Sequence, residues 1–137
     1  MIDSRNPADL DPRVRQMCEE FVVRTRQAGL TVIITSTLRD HEMQAALYAR
    51  GRTLPGPRVT NARPGSSYHQ YGLAFDFVPA VGGKPLWKNA ESFRRCGEIG
   101  EAIGLEWAGR WRRFREAAHL QWTGGLTIRD LLAGRRP

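Results

Sequence analysis

Cysteine is scarce, lysine is nearly absent and no long apolar run occurs. Only Cys18 and Cys96 are present, far apart and outside any C-x-x-C spacing. Neither a four-thiolate metal site nor a dense disulfide framework is available to such a chain. Both cysteines fall in predicted helices beside apolar neighbours and read as buried thiols, with a single bridge between them left open. Nothing approaches the roughly 18 consecutive apolar residues that span a bilayer. The start, Met1-Ile-Asp-Ser-Arg-Asn-Pro7, lacks the apolar stretch of a secretory signal. It predicts a chain kept in the cytoplasm until something releases it. What is present is 137 residues, 41% hydrophobic and 26% charged, the profile of one globular domain over 1–137, expected to be a monomer. Basic residues outnumber acidic ones 21 to 14, for a net charge of +7, and all but Lys84 and Lys88 of the 21 are arginine. That charge favours polyanionic surroundings such as nucleic acid, anionic lipid or wall polymer. No nucleic-acid motif accompanies the scattered arginines.

Asp11-Pro12 reads as an N-cap followed by proline in the first helical turn. Val14, Met17, Cys18, Phe21 and Val22 continue a helical stripe that Gly29 closes. Leu30 to Ser36 is short and β-branched, a strand. Asp40 caps a second helix that ends at Gly51. Residues 51–66, with three prolines and three glycines, read as a loop. From Gly72 to Val78 the chain alternates, with Leu73, Phe75 and Phe77 on one face and Ala74 and Asp76 on the other. Pro79 to Pro85 is a turn, 90–103 a third helix, and Leu105–Trp107 and His119–Trp122 are short strands. Leu126 to Leu132 is a last short helix. The expected fold class is α+β, a small antiparallel sheet with helices packed on one side.

The chain has three histidines. His41 follows a cap, has no motif partner and reads as a surface residue. His69 stands in Ser67-Tyr-His-Gln-Tyr-Gly72-Leu-Ala74-Phe-Asp76, and His119 in Glu116-Ala-Ala-His119-Leu-Gln121. Two histidines and a carboxylate are a frequent catalytic zinc set, which leaves a fourth position for water. Such a reaction also needs a base near a ligand. Glu116 and His119 share a face only across a turn, so the spacing predicts a turn at Ala117-Ala118 before the strand. The run Arg110, Arg112, Arg113 and Arg115 reads as a solvated face.

Ser67-x-His69-x-x-Gly72-x-Ala74-x-Asp76 followed by Glu116-x-x-His119-x-Gln121 resembles the zinc peptidases of the D-alanyl-D-alanine carboxypeptidase and VanY-like group, and in particular phage L-alanyl-D-glutamate endopeptidases. Thr35-Ser-Thr-Leu-Arg39, Gln44-Ala-Ala-Leu-Tyr48 and Gly104-Leu-Glu-Trp107 with Trp111 extend the likeness from Leu30 to the C-terminus. The resemblance implies the hedgehog/D-Ala-D-Ala peptidase type of fold and one Zn²⁺ per chain on His69, Asp76 and His119. It implies Glu116 as general base and Arg39 at the cleft, with Ser67, Gln121 and Tyr68 as supporting or substrate contacts. The implied activity is hydrolysis of the peptidoglycan stem peptide in the manner of a phage endolysin, the wall being reached through a holin-made lesion. Anionic wall polymers would be a further partner. The alternatives are a D,D-carboxypeptidase or dipeptidase, and a wall-binding module without catalysis. Two departures stand out. Ala117-Ala118 replaces the family's x-Pro before the last histidine, and Arg110 stands where many phage members carry an acid.

Overall fold

The computed structural model describes residues 1–137. Helix α1 (Pro12–Gln27) starts where Asp11 accepts a hydrogen bond from the Arg13 amide, with Pro12 opening the first turn. Its inward stripe is Val14, Cys18, Phe21 and Thr25, all fully buried. Strand β1 (Thr31–Ser36) follows, then α2 (His41–Ala49), capped by Asp40. The loop after α2 leads to a single 3₁₀ turn, Tyr68–Tyr71, and then to β2 (Ala74–Val81). A two-residue β3 (Lys84–Pro85), α3 (Ala90–Ile103), β4 (Glu106–Trp107), β5 (His119–Gln121) and α4 (Ile128–Leu132) complete the chain.

The sheet is antiparallel, ordered β1-β2-β5-β4, with β3 paired to the far end of β2. Its register sorts side chains cleanly. Phe75 faces Leu120, and Leu120 faces Trp107 in turn, on the helix-covered side. Asp76 opposite His119, and Gln121 opposite both Ala74 and Glu106, stand on the other side. Directly opposed residues share a face, so one register decides both the core and the cleft. On the core side Phe21 meets Phe75 and Phe77 at centroid distances of 5.7 and 5.1 Å, and Phe77 meets Phe93 at 5.6 Å. Burying each such ring contributes about 1.5–3 kcal/mol.

Helix α3 comes unusually close to the sheet. A Cβ on Gly97 would lie 2.2 Å from the Trp107 ring, and one on Gly100 would lie 2.7 Å from Leu120. These glycines are the flat side on which the indole and the Leu120 side chain rest. The expected helices and strands are present, and the expected turn over Pro79–Pro85 is corrected at both ends: β2 continues through Pro79 to Val81 instead of ending at Val78, and Lys84–Pro85 pair back onto it as β3, leaving only Gly82-Gly83 as the turn. The Phe77 amide donates to Ala118 on the β5 side. Two residues on, the donor that Pro79 lacks falls on that same side, beyond the end of β5; there only the reciprocal bond to Leu86 is forfeited, while the Leu86 amide still donates to the Pro79 carbonyl at 2.8 Å.

Residues before α1 form a strap. The Thr37 amide donates to the Ser4 carbonyl at 2.6 Å, Ser4 to Leu38 at 2.8 Å and Asp40 to Ile2 at 3.0 Å. The Asp3 carboxylate accepts from the Ser36 hydroxyl at 2.6 Å. Cys18 and Cys96 are both buried and free. No helix is long and apolar enough to cross a membrane.

Candidate metal centre

Three elements deliver the site. The 3₁₀ turn carries His69, with Ser67 as its cap, accepting from the His69 amide. Gly72 ends the turn at φ +70°, where a Cβ would press against the Asp11 amide at 2.8 Å, so glycine is required for the chain to swing into β2. Strand β2 carries Asp76 and β5 carries His119. Glu116 sits across the expected turn at Ala117-Ala118, closed by the His119 amide on the Glu116 carbonyl at 3.2 Å. A cleft of about 760 Å³ opens over these residues, with Trp111, Phe114 and Val59 among its apolar walls.

The hydrogen bonds behind each imidazole decide which nitrogen faces the cleft. His69 Nδ1 lies 2.8 Å from the Thr37 carbonyl, which can only accept, so that nitrogen carries the proton. His69 Nε2 then presents its lone pair to Asp76 Oδ1 at 3.1 Å. His119 Nε2 lies 2.8 Å from Gln121 Oε1. Its Nδ1, buried and without a hydrogen-bond partner, stands 3.3 Å from the same Asp76 oxygen. The ligand atoms of the three residues all lie within 4.8 Å of one another.

When the rings are neutral, two imidazoles and a carboxylate aim lone pairs at a shared point. That arrangement is repulsive alone and fits a cation. Donors about 2.0–2.2 Å from a tetrahedral zinc stand roughly 3.4 Å from each other, close to the contacts that Asp76 makes. Nδ1–H held by a backbone carbonyl is the usual outer support of a ligating histidine.

Without an ion, protons on the rings take the place of its charge. Burial pushes the Asp76 carboxyl up, but the imidazoles beside it, as positive charges and hydrogen-bond donors, outweigh that and hold the group far below the usual carboxylate range. Burial opposes a charge on His119, yet the Asp76 carboxylate 3.3 Å away, helped by Glu116, raises its pKa. Glu116 Oε2 is 3.6 Å from His119 Nδ1, on a side chain 48% exposed at the cleft mouth.

Arg39 lines the cleft and is itself largely enclosed. Its Nη1 donates to Gln44 at 3.0 Å and its Nη2 to Ser36 at 3.2 Å, with Asp76 Oδ2 at 3.8 Å. Ser67 and Tyr68 also line the cleft, and the Tyr68 hydroxyl donates to the Leu126 carbonyl at 2.8 Å. Gln121 lies directly behind His119. His41 is exposed, away from this group. Sequence reasoning overlooked Thr37 and Glu106. Thr37 acts through its carbonyl, which no side-chain pattern reveals. Glu106 belongs to the site only through its register opposite Gln121.

The sheet with its one-sided helices and a cleft on the bare face is the architecture of the peptidoglycan peptidases already solved. The chain is similar to the L-Ala D-Glu endopeptidase ChiX of Serratia marcescens at a TM-score of 0.66, with 19% identity and 96% and 92% of the two chains covered. It is similar to the D,D-pentapeptidase VanY of a VanB-type vancomycin-resistance cassette, solved with Zn(II), at a TM-score of 0.65, with 20% identity and 90% and 83% covered. Residues 60–122, which hold His69, Asp76, Glu116 and His119, match the D-alanyl-D-alanine carboxypeptidase family. The peptidoglycan L-alanyl-D-glutamate endopeptidase CwlK of Bacillus subtilis is 38% identical over 124 residues, 84% of this chain and 74% of that protein. The chain belongs to the D-alanyl-D-alanine carboxypeptidase family of peptidases.

Proposed function

We propose that the protein is a zinc peptidase that cuts the peptidoglycan stem peptide between L-alanine and D-glutamate. The observation that carries the reading is the aim of two tautomer-fixed imidazoles at one oxygen of Asp76, with Glu116 beside them. His69, Asp76 and His119 would hold the ion. Zn²⁺, when bound, supplies a Lewis acid for a carbonyl oxygen and lowers the pKa of water to about 7.

The remaining work belongs to the chain. Glu116, on a turn at the cleft mouth, takes a proton from the attacking water and returns it to the leaving amine nitrogen. Arg39 places a fixed positive charge beside Asp76, available to the oxygen that becomes negative as the carbonyl turns tetrahedral. Its bonds to Gln44 and Ser36 hold it there without reorganisation. Ser67 and Tyr68 border the groove for the peptide. The walls at Trp111, Phe114 and Val59 suit small apolar side chains. The net charge of +7 draws the protein to anionic wall polymers. Action at the wall after release, in the manner of a phage endolysin, follows from the same substrate.

The preferred bond rests on the likeness to CwlK, since the family's description names a carboxypeptidase. Digestion of purified muropeptides, with the new termini identified by mass spectrometry, tests it. A new N-terminal D-glutamate is expected. Release of single D-alanine would instead establish the carboxypeptidase. Chelation should abolish the cut and Zn²⁺ restore it.

A further inference from the structure

The proton on His119 depends on which way the Gln121 amide points. Either orientation is sterically equivalent, because the amide nitrogen and oxygen have nearly the same size. Oxygen toward the ring makes His119 Nε2 the donor and leaves Nδ1 as a lone pair. The reverse orientation would make Nε2 the acceptor, place the proton on Nδ1 and aim it at Asp76 Oδ1, 3.3 Å away. That alternative replaces the opposed lone pairs of His119 and Asp76 with a hydrogen bond and closes that ligand position to a cation.

Glu106 decides between them. It is paired with Gln121 across β4 and β5, and its Oε2 lies 3.1 Å from Gln121 Nε2. A carboxylate has no proton to give, so the amide must turn its nitrogen to Glu106 and its oxygen to His119. Flipping it would set two oxygens against each other at that distance. The same Oε2 accepts from Trp111 Nε1 at 2.9 Å, which fixes the carboxylate in place. We infer that Glu106 is a positioning residue, which by orienting Gln121 keeps His119 in the tautomer that can bind a metal ion. The inference rests on the zinc-peptidase reading above and assigns a task to an acid on the exposed side of β4, 15 residues before Gln121.

Two measurements test it. Imidazole nitrogen NMR of metal-free protein, followed over pH, reports which nitrogen of neutral His119 carries the proton. Competition with a chromophoric chelator gives the zinc affinity. Wild type should show Nε2–H on His119. Glu106→Ala, at an exposed position that the fold tolerates, should move the proton to Nδ1 and weaken zinc binding about 10- to 100-fold. Glu106→Gln should stay near wild type, because the Trp111 N–H keeps the new amide's oxygen at the shared position. Glu106→Gln combined with Trp111→Phe frees that amide and should behave like Glu106→Ala. An unchanged tautomer and unchanged zinc affinity in Glu106→Ala would overturn the positioning role and leave the metal reading standing. Wild type that binds no zinc would instead remove the metal reading, whatever the tautomer.

Discussion

The two faces of β2 and β5 are built from alternate residues of the same short strands, yet they meet opposite demands. On one face Phe75, Phe77 and Leu120 exclude water against α1 and α3. On the other, one residue along, Asp76, His119 and Gln121 keep charge and hydrogen bonds oriented toward a cleft. The apolar face holds together by area and shape, which tolerate small adjustments. The polar face depends on particular atoms, and a chain of single hydrogen bonds from Thr37 and Glu106 sets the orientation of each ring. Stability and chemistry are therefore separable by substitution, one face at a time.

The largest effect is expected from His119→Ala or Asp76→Ala, which should reduce zinc uptake and wall cleavage to background. The fold should remain intact by circular dichroism. Glu116→Gln sharpens the contrast within the cleft: zinc should bind as in wild type while cleavage falls about 10²- to 10⁴-fold. On the opposite face, Phe75→Ala should cost about 3–5 kcal/mol in denaturant unfolding, with the surviving folded fraction still active. Gly97→Ala probes the closest approach of helix and sheet. The added methyl meets the Trp107 ring, and a loss of about 1–3 kcal/mol is expected. If that loss came with lowered zinc affinity at equal folded fraction, the two faces would be coupled after all.

The smallest effect concerns the thiols. Burial, aided by the Glu19 charge, pushes Cys18 up to about 12, and burial pushes Cys96 up to about 11, from an ordinary value of 9.0. In the native protein both should resist alkylation at neutral pH and react only on unfolding. The sign of their linkage follows. Below pH 9 both states keep the protons, while above it the unfolded chain releases them first. Stability should therefore decline as pH rises from 9 toward 12.

Much of this division is legible in the primary structure. The alternation Leu73, Phe75, Phe77 against Ala74, Asp76 marks both faces of β2. Gly72 marks the swing that brings His69 beside Asp76, and the three-residue spacing of Glu116 and His119 demands the turn found at Ala117-Ala118. Other features depend on distant pairing and leave no local trace. Pro79 reads as a strand end because its tolerance depends on where β5 stops. Glu106 carries no mark of a site residue in the sequence, because its partner is chosen by register. Nothing in the third helix's own sequence announces the indole and Leu120 that lie against Gly97 and Gly100.

The strap at Ile2–Ser4 carries a consequence for handling the protein. Its pairing partners, Thr37 to Asp40, include the carbonyl that orients His69 and the arginine beside Asp76. Truncation of the first four residues, whether by an aminopeptidase or by shortening the gene, would therefore loosen the back of the cleft from outside it. Such a shortened enzyme would keep every residue of the cleft and still work poorly.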